Sequence, residues 1–256
     1  MILAIDIGNS NIVMGCFDGN NILFRERVST NQIATDLEYA VTIKTALDMY
    51  DIKPDVITGA IVSSVVPSVT NTFKRAIEKY CGVTPLVVGP GIKTGLSIMI
   101  DNPAQLGSDL VVDAVAGIKE YPVPLIIIDM GTATTFSVID KKCNYLGGLI
   151  TTGMAVSTEA LVNRTSQLPK IAFEKPKKLI GTNTVDCLKS GILYSNACSI
   201  DGIVSRIEEE LGEKCTVVAT GGLSGTVAPL CKSEIIVDDD LLLKGLMLIY
   251  NRNSHK

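Results

Sequence analysis

Two stretches of the chain share one pattern of apolar and polar positions. Each has an apolar run, an aspartate, one more apolar residue, a glycine and then small polar residues; the first spans residues 3–11 and the second residues 125–135. Alternating apolar positions resume directly afterwards, which predicts a β-hairpin with a tight turn in both places. One such turn is ordinary, because Gly, Asn and Ser are common turn residues. Two copies predict a duplicated domain.

Strand-like and helix-like patterns alternate along the rest of the chain. Thr35 and Glu38 form a capping box that predicts a helix to about Tyr50. Further strands are expected at residues 23–28, 57–66, 85–88 and 216–219. Further helices are expected from a Ser68 cap to Gly82, after Asp109, at residues 154–164, at residues 185–194 with an extension over 196–211, and at residues 240–250. This alternation predicts an α/β fold with helices on the sheet faces. We expect two domains, residues 1–115 and 116–256.

Composition excludes several classes of function. The chain has 256 residues, 46% hydrophobic and 20% charged, with a net charge of −4 and no Trp. These values are typical of a globular protein and provide neither a basic surface nor an aromatic platform for nucleic acid. Asp6 interrupts the first apolar run too early for a signal peptide, and no uncharged run reaches the ~18 residues of a membrane span. The seven cysteines are dispersed without a Cys-x-x-Cys pair. We expect a soluble cytoplasmic protein with reduced thiols and no membrane partner.

The chain has a single histidine, His255, so carboxylates, Lys, Tyr or Cys must supply any acid–base chemistry. Asp109 stands at the start of a predicted helix, where it is either a first-turn acid favoured by the helix dipole or a functional carboxylate. The glycine-rich loop from Gly89 to Gly95 carries Lys93. This loop is either a plain strand exit or a substrate or phosphate loop.

The two hairpin turns suit phosphate groups. Glycine lets the backbone approach an anion, amides and hydroxyls donate hydrogen bonds, and a carboxylate such as Asp6 can hold Mg²⁺. With one phosphate loop on each half, a nucleotide would lie in the cleft between the halves, as in the actin-like sugar and acetate kinases. Gly221 and Gly222 follow the last clear strand, where bare backbone can pack against adenine or ribose.

Taken together, the motifs resemble those of the type III pantothenate kinases over essentially the whole chain. The matching segments are Asp6 to Ser10, Val62 to Pro67, Gly89 to Gly95, Gly107 with Asp109, Asp129 to Thr134, Gly147 with Gly148, Thr220 to Gly222, and Lys244 to Leu246. The resemblance implies duplicated actin-like (ribonuclease H-like) domains in a homodimer whose active site is completed across the dimer. It also implies phosphorylation of pantothenate with ATP, the first step of coenzyme A synthesis, with Mg²⁺ and a monovalent cation, K⁺ or NH4⁺.

The resemblance also implies residue roles. Asp109 would accept the proton of the substrate hydroxyl, and Asp129 would bind the monovalent cation. Asp6 would hold Mg²⁺ through the phosphates. The other nucleotide-binding positions would be Ile7, Gly8, Asn9, Ser10, Asn11, Gly131, Thr132, Gly221 and Gly222. The positions facing pantothenate would be Ile100, Gly107, Ser108, Leu110 and Thr184.

The chain departs from the family's pattern mainly at the pantothenate positions. The family has Gly-Ala-Asp-Arg where this chain has Gly107 to Leu110, a tyrosine where it has Ile100, and a proline where it has Thr152. Leu cannot replace an arginine that pairs with a carboxylate. Two alternatives to a pantothenate kinase therefore remain open: a kinase of a related, more apolar alcohol, and a paralogue that binds nucleotide without catalysis.

Overall fold

The computed structural model describes residues 1–254, so His255 lies outside the described residues. The strands are β1 (Ile2–Ile7), β2 (Asn11–Asp18), β3 (Asn21–Ser29), β4 (Gly59–Ser64), β5 (Leu86–Val87), β6 (Ser97–Ile98), β7 (Leu125–Met130), β8 (Ala133–Ile139), β9 (Asn144–Thr152), β10 (Thr216–Thr220) and β11 (Ile236–Val237). The helices are α1 (Asp36–Asp48), α2 (Pro67–Cys81), α3 (Ser108–Glu120), α4 (Met154–Asn163), α5 (Thr184–Leu211), α6 (Ser224–Val227) and α7 (Leu241–Ser254).

The described chain divides into two compact units. The first contains residues 1–96, 102–116 and 241–254, and the second contains residues 97–101 and 117–240. These units depart from the predicted domain ranges at two segments, because 97–101 groups with the second unit and α7 with the first. The division into domains 1–115 and 116–256 stays a prediction.

The two units repeat one strand topology. Among the described residues the first sheet has the order β3-β2-β1-β4-β5, and the second has the order β11-β10-β7-β8-β9-β6. Read from the hairpins outward, β7, β8, β9, β10 and β11 take the places of β1, β2, β3, β4 and β5. In each, the first strand pairs antiparallel with its hairpin partner and parallel with the strand on its other side. The predicted duplication of an α/β domain is confirmed.

Alternation along the central strands assigns their side chains to two faces. In β1, Leu3, Ile5 and Ile7 pack in a core with residues of α1 and α2, whereas Ala4 packs in a second core with Val112 of α3 and residues of α7. In β7, Ile126, Ile128 and Met130 pack in a core with residues of α5. Asp6 and Asp129 therefore occupy positions on the opposite faces of their strands from these larger cores.

Local signals explain where the helices begin and end. The Thr35–Glu38 capping box is formed, and Gly82 ends α2 with a φ of 70°. The predicted Ser68 cap is wrong: Val66 is the N-cap residue and Pro67 is the first helical residue, a position where a missing N–H costs nothing. The helical run expected at residues 185–194 and extended over residues 196–211 is confirmed as one helix, α5, capped by Asn183. Within residues 1–254, no helix is both long and apolar enough to cross a bilayer.

Two glycines within helices allow a matched test of packing. A Cβ at Gly245 of α7 would lie 2.1 Å from the Val112 carbonyl oxygen, whereas a Cβ at Gly191 of α5 would meet nothing within 4 Å. We expect Gly245→Ala to destabilise the protein by about 1–3 kcal/mol through overpacking. Gly191→Ala should stabilise it by about 0.5–1 kcal/mol, because alanine is the better helix former. Urea unfolding measures both, and equal effects of the two changes would contradict this account of α3–α7 packing.

Candidate active site

The first hairpin places a buried carboxylate beside an exposed turn. Asp6 is 8% exposed and pairs in register with Val13 of β2 and Ser63 of β4. The turn is closed by a hydrogen bond from the Gly8 N–H to the Asn11 carbonyl oxygen at 2.9 Å. Thr30 holds the turn from β3, since its hydroxyl donates to the Gly8 oxygen at 2.6 Å. The turn residues Asn9, Ser10 and Asn11 are exposed.

The second hairpin has the same plan. Asp129 pairs in register with Thr135 of β8 and Thr220 of β10. The Gly131 N–H donates to the Ala133 carbonyl oxygen at 3.0 Å, and the Gly153 N–H donates to the Thr132 carbonyl oxygen at 3.1 Å. Thr132 itself is exposed. The contact with Gly153, which precedes α4, fixes the turn from outside.

Glycine is required at two contacts around this second turn. A Cβ at Gly153 would lie 2.3 Å from the Thr132 oxygen. A Cβ at Gly221 would lie 2.6 Å from Asp129 Oδ1 and 2.7 Å from the Met130 nitrogen, and Gly221 has a φ of +90°. In both places the glycine backbone lies against the end of the second hairpin, and a side chain at either position would overlap it. Gly222, the next residue, is exposed.

The aspartates of both hairpins stand at the carboxyl ends of parallel strand pairs. In the first unit these are β1 and β4, and in the second they are β7 and β10. Ligands of open α/β sheets bind outside the carboxyl ends of the strands, where the connections diverge. Each unit therefore offers a polar strand end suited to an anionic ligand.

Asp109 lies in the first turn of α3, in the first unit. Its Oδ1 accepts the Leu110 N–H at 2.8 Å, and a Cβ at Gly107 would lie 2.4 Å from the same oxygen. The carboxylate therefore folds back over Gly107, on a helix whose Val112 packs with β1. Burial raises the pKa of Asp109, and the hydrogen bonds from the Leu110 and Asp109 backbones oppose this rise. A first-turn acid stabilised only by the helix dipole would have a lowered pKa.

The other predicted substrate positions divide between the units. Ser108 and the half-buried Leu110 lie in the first unit beside Asp109. The Ser108 hydroxyl is 3.0 Å from the Ser63 hydroxyl. In the second unit, Ile100 is half-buried near Gly147, and Thr184 is the exposed first residue of α5.

The Gly89–Gly95 loop is attached to the end of α7. The Lys93 N–H donates to Asn253 Oδ1 at 3.1 Å, and Asn253 Nδ2 donates to the Lys93 oxygen at 3.0 Å. Arg252 Nη1 donates to the Thr94 oxygen at 3.0 Å. The backbone of Lys93 is thus hydrogen-bonded to α7, while the Lys93 side chain is exposed. Both interpretations of the loop stay open for that side chain.

The sequence does not indicate three contacts near the predicted site residues. They are the hydrogen bond of Thr30 with Gly8, that of Gly153 with Thr132, and those of Ser63 and Ser64 with Ser108. The motif Val62 to Pro67 was noted only as part of the resemblance, and its serines gave no local sign of contacting α3. Among residues 1–254, no group of three or more His, Cys, Asp or Glu side chains lies together as a metal site. Mg²⁺ bound through one carboxylate and substrate phosphates does not need such a group.

Two aspartate hairpins at parallel strand ends, one in each half of a duplicated α/β fold, are the arrangement expected of the actin-like fold class. The sequence model of the family described as Type III pantothenate kinase matches residues 2–206. A Type III pantothenate kinase from Exiguobacterium sp. is 45% identical over 254 residues, covering 99% of this chain and 100% of the relative. Another from Halalkalibacterium halodurans is 42% identical, with 99% and 100% covered. The chain belongs to the type III pantothenate kinase family.

A solved structure supports the fold independently. The activator of 2-hydroxyisocaproyl-CoA dehydratase from Clostridium difficile, solved with bound ADPNP, has a TM-score of 0.52 at 14% identity, covering 97% of this chain and 93% of that one. This likeness concerns the fold alone. The family resemblance, the actin-like fold class and the kinase class expected from the sequence are confirmed.

The contact between Gly107 and Asp109 generates a prediction. We expect Gly107→Ala to leave unfolding nearly unchanged, because the added methyl displaces the end of a side chain and no backbone atom. If Asp109 acts as the predicted proton acceptor, the displaced carboxylate should lower kcat by about 10–100-fold, the effect of a small misplacement of a catalytic group. Steady-state ADP release measures this, with Gly202→Ala, whose Cβ would meet nothing within 4 Å, as the control. Wild-type kcat in Gly107→Ala would show that the carboxylate position seen here is unimportant.

Proposed function

We propose that the protein transfers the γ-phosphoryl group of ATP to the hydroxyl of pantothenate, giving 4'-phosphopantothenate, with Asp109 as the group that accepts the hydroxyl proton. Membership of the family supports the reaction. The half-buried Asp109, folded over Gly107 on a helix that packs against β1, is the observation that carries the proposal.

Positioning and charge neutralisation account for most of the catalysis in phosphoryl transfer. Asp109 accepts the proton as the hydroxyl oxygen forms its bond to the γ-phosphorus. The bond between the γ-phosphorus and the bridging oxygen breaks, and its electron pair leaves on the β-phosphate of ADP. The hairpin turns at Gly8 to Asn11 and at Gly131 to Thr132 bind the phosphates through backbone and side-chain donors. Gly221 and Gly222 supply bare backbone for the nucleoside.

The donor set fits two cations. Asp6, buried at the end of β1, is suited to hold Mg²⁺ together with the nucleotide phosphates. Asp129, held against Gly221, is suited to the monovalent cation, K⁺ or NH4⁺. When bound, these ions neutralise charge on the phosphates. The protein's own part is to fix the two carboxylates at the strand ends.

Leu110 occupies the position where the family's pattern has an arginine, so another group must meet the pantothenate carboxylate. The exposed Lys93 and a cation from a partner subunit are the candidates. The raised pKa of Asp109 and its place beside the strand ends support catalysis over a paralogue that only binds nucleotide. An acid retained only to cap a helix has no need of burial.

Exposed apolar side chains in the second unit support a homodimer. Ile150 of β9 is 76% exposed, and Leu179 and Ile180 of the loop before α5 are 61% and 78% exposed. Contiguous exposed apolar patches mark association surfaces, and a homodimer interface would cover these side chains. We place the protein in the cytoplasm, which the free state of its seven cysteines supports.

The proposal is tested by ADP release with ATP, Mg²⁺ and K⁺, with and without pantothenate. We expect turnover that depends on pantothenate, and Asp109→Asn should lower kcat by about 10²–10⁴-fold, the range for loss of a general base. Asparagine keeps an oxygen for the Leu110 N–H, so the helix start is preserved. Asp55→Asn, an exposed aspartate of the same unit, is the matched control. Equal turnover in both variants would exclude Asp109 as the base.

The raised pKa of Asp109 predicts opposite effects of pH on activity and stability. The base form is lost as pH falls through the raised pKa, so the acid limb of kcat/KM should lie above the ordinary Asp pKa of about 3.9. Because the folded state holds this proton more tightly than the unfolded state, the group's contribution to stability is lost as pH rises through the raised pKa.

Asp109→Asn should therefore be more stable than wild type at neutral pH while losing activity. Urea unfolding beside the pH–rate profile measures both. A variant that is less stable at neutral pH would contradict the burial argument.

A further inference from the structure

The hydroxyl of Ser108 meets three atoms at the end of β4. It lies 3.0 Å from the Ser63 hydroxyl, it accepts the Ser64 N–H at 3.1 Å, and it lies within donating distance, 3.1 Å, of the Ser64 carbonyl oxygen. Ser63 is fully buried. The Ser108 side chain is thus hydrogen-bonded to the end of β4.

The end of β4 needs the Ser108 hydroxyl as a hydrogen-bond partner because the neighbouring strand, β5, ends before it. β5 pairs with β4 only at Ile61 and Val62, and the Val88 N–H adds one more bond to the Val62 oxygen at 2.8 Å. On the other edge of β4, the Val65 N–H donates to the Ile7 oxygen of β1 at 3.1 Å. Since successive N–H groups of a strand point to opposite edges, the Ser64 N–H points to the edge that β5 has left. The Ser108 hydroxyl takes the place of the missing strand.

This contact links the two carboxylates of the first unit. Ser63 pairs in register with Asp6 of β1, and Ser108 immediately precedes Asp109. A chain of contacts therefore runs from the strand that carries Asp6, through the end of β4, to the first residue of α3. Groups that hold a catalytic side chain to a rigid element control its position.

We propose that Ser108 is a positioning residue, which fixes the first turn of α3, and with it the Asp109 carboxylate, against the end of β4. This inference rests on the proposed function of Asp109. The family's pattern has alanine at this position. Alanine lacks the hydroxyl and cannot make the hydrogen bonds that Ser108 makes with the end of β4. The expectation that Ser108 faces pantothenate stays a prediction beside this role.

The kinetic test compares Ser108→Ala with Ser108→Thr, which keeps a hydroxyl. We expect Ser108→Ala to lower kcat by about 10-fold, within the range for small misplacements of a catalytic group, while the KM for ATP stays unchanged. Ser108→Thr should restore most of the lost kcat, and Ser205→Ala, an exposed serine of α5, should behave as wild type. Wild-type kcat in Ser108→Ala would overturn the proposal, and so would a rise in KM for pantothenate with no change in kcat.

Amide hydrogen exchange gives a readout that does not depend on activity. In the structure the Ser64 N–H is bonded to Ser108 and the Leu110 N–H to Asp109. If Ser108 positions Asp109, Ser108→Ala should speed the exchange of both amides. Faster exchange of Ser64 alone would mean that Ser108 only completes the sheet, and would overturn the proposal. Faster exchange of both amides in a protein without pantothenate-dependent turnover would support the positioning role and refute the proposed function.

Discussion

The parallel pairing of β1 with β4, and the equivalent pairing of β7 with β10, is the constraint on which the polar strand end of each unit depends. It brings the carboxyl ends of two strands together in each unit, where Asp6 stands beside Ser63 and Asp129 beside Thr220. Each hairpin then supplies a short polar turn next to its aspartate. In the second unit, Gly153 and Gly221 let the backbone pack closely against the end of the β7–β8 hairpin.

Asp109 shows how the fold changes the proton affinity of a carboxylate. A helix start would ordinarily stabilise a charged carboxylate, yet burial raises the pKa of this one. Gly107 leaves room for the carboxylate, and the Leu110 N–H and the backbone behind it fix its direction. Burial therefore makes the charged form of Asp109 costly to the fold and makes this carboxylate more basic than a solvated aspartate.

Patterns local in sequence predicted most of the fold. The two hairpins, the duplication, the capping box at Thr35 and the glycine end of α2 were all evident, because each depends on neighbouring residues. The sequence did not predict the two-residue strands β6 and β11, which exist only through pairing with distant strands. Asp109 was predicted as a candidate, but its burial and the Ser108 contact were not. The Ser108 contact depends on β4, more than 40 residues away, and no local pattern records such a contact.

The central claim is that this chain phosphorylates pantothenate although Leu110 stands where the family's pattern has arginine. The most direct measurement is to identify the product by mass spectrometry and ³¹P NMR after incubation with ATP, Mg²⁺, K⁺ and pantothenate. The account predicts a phosphate monoester on the pantothenate hydroxyl, formed in step with ADP. Unmodified pantothenate after prolonged incubation with folded, nucleotide-binding protein would contradict it.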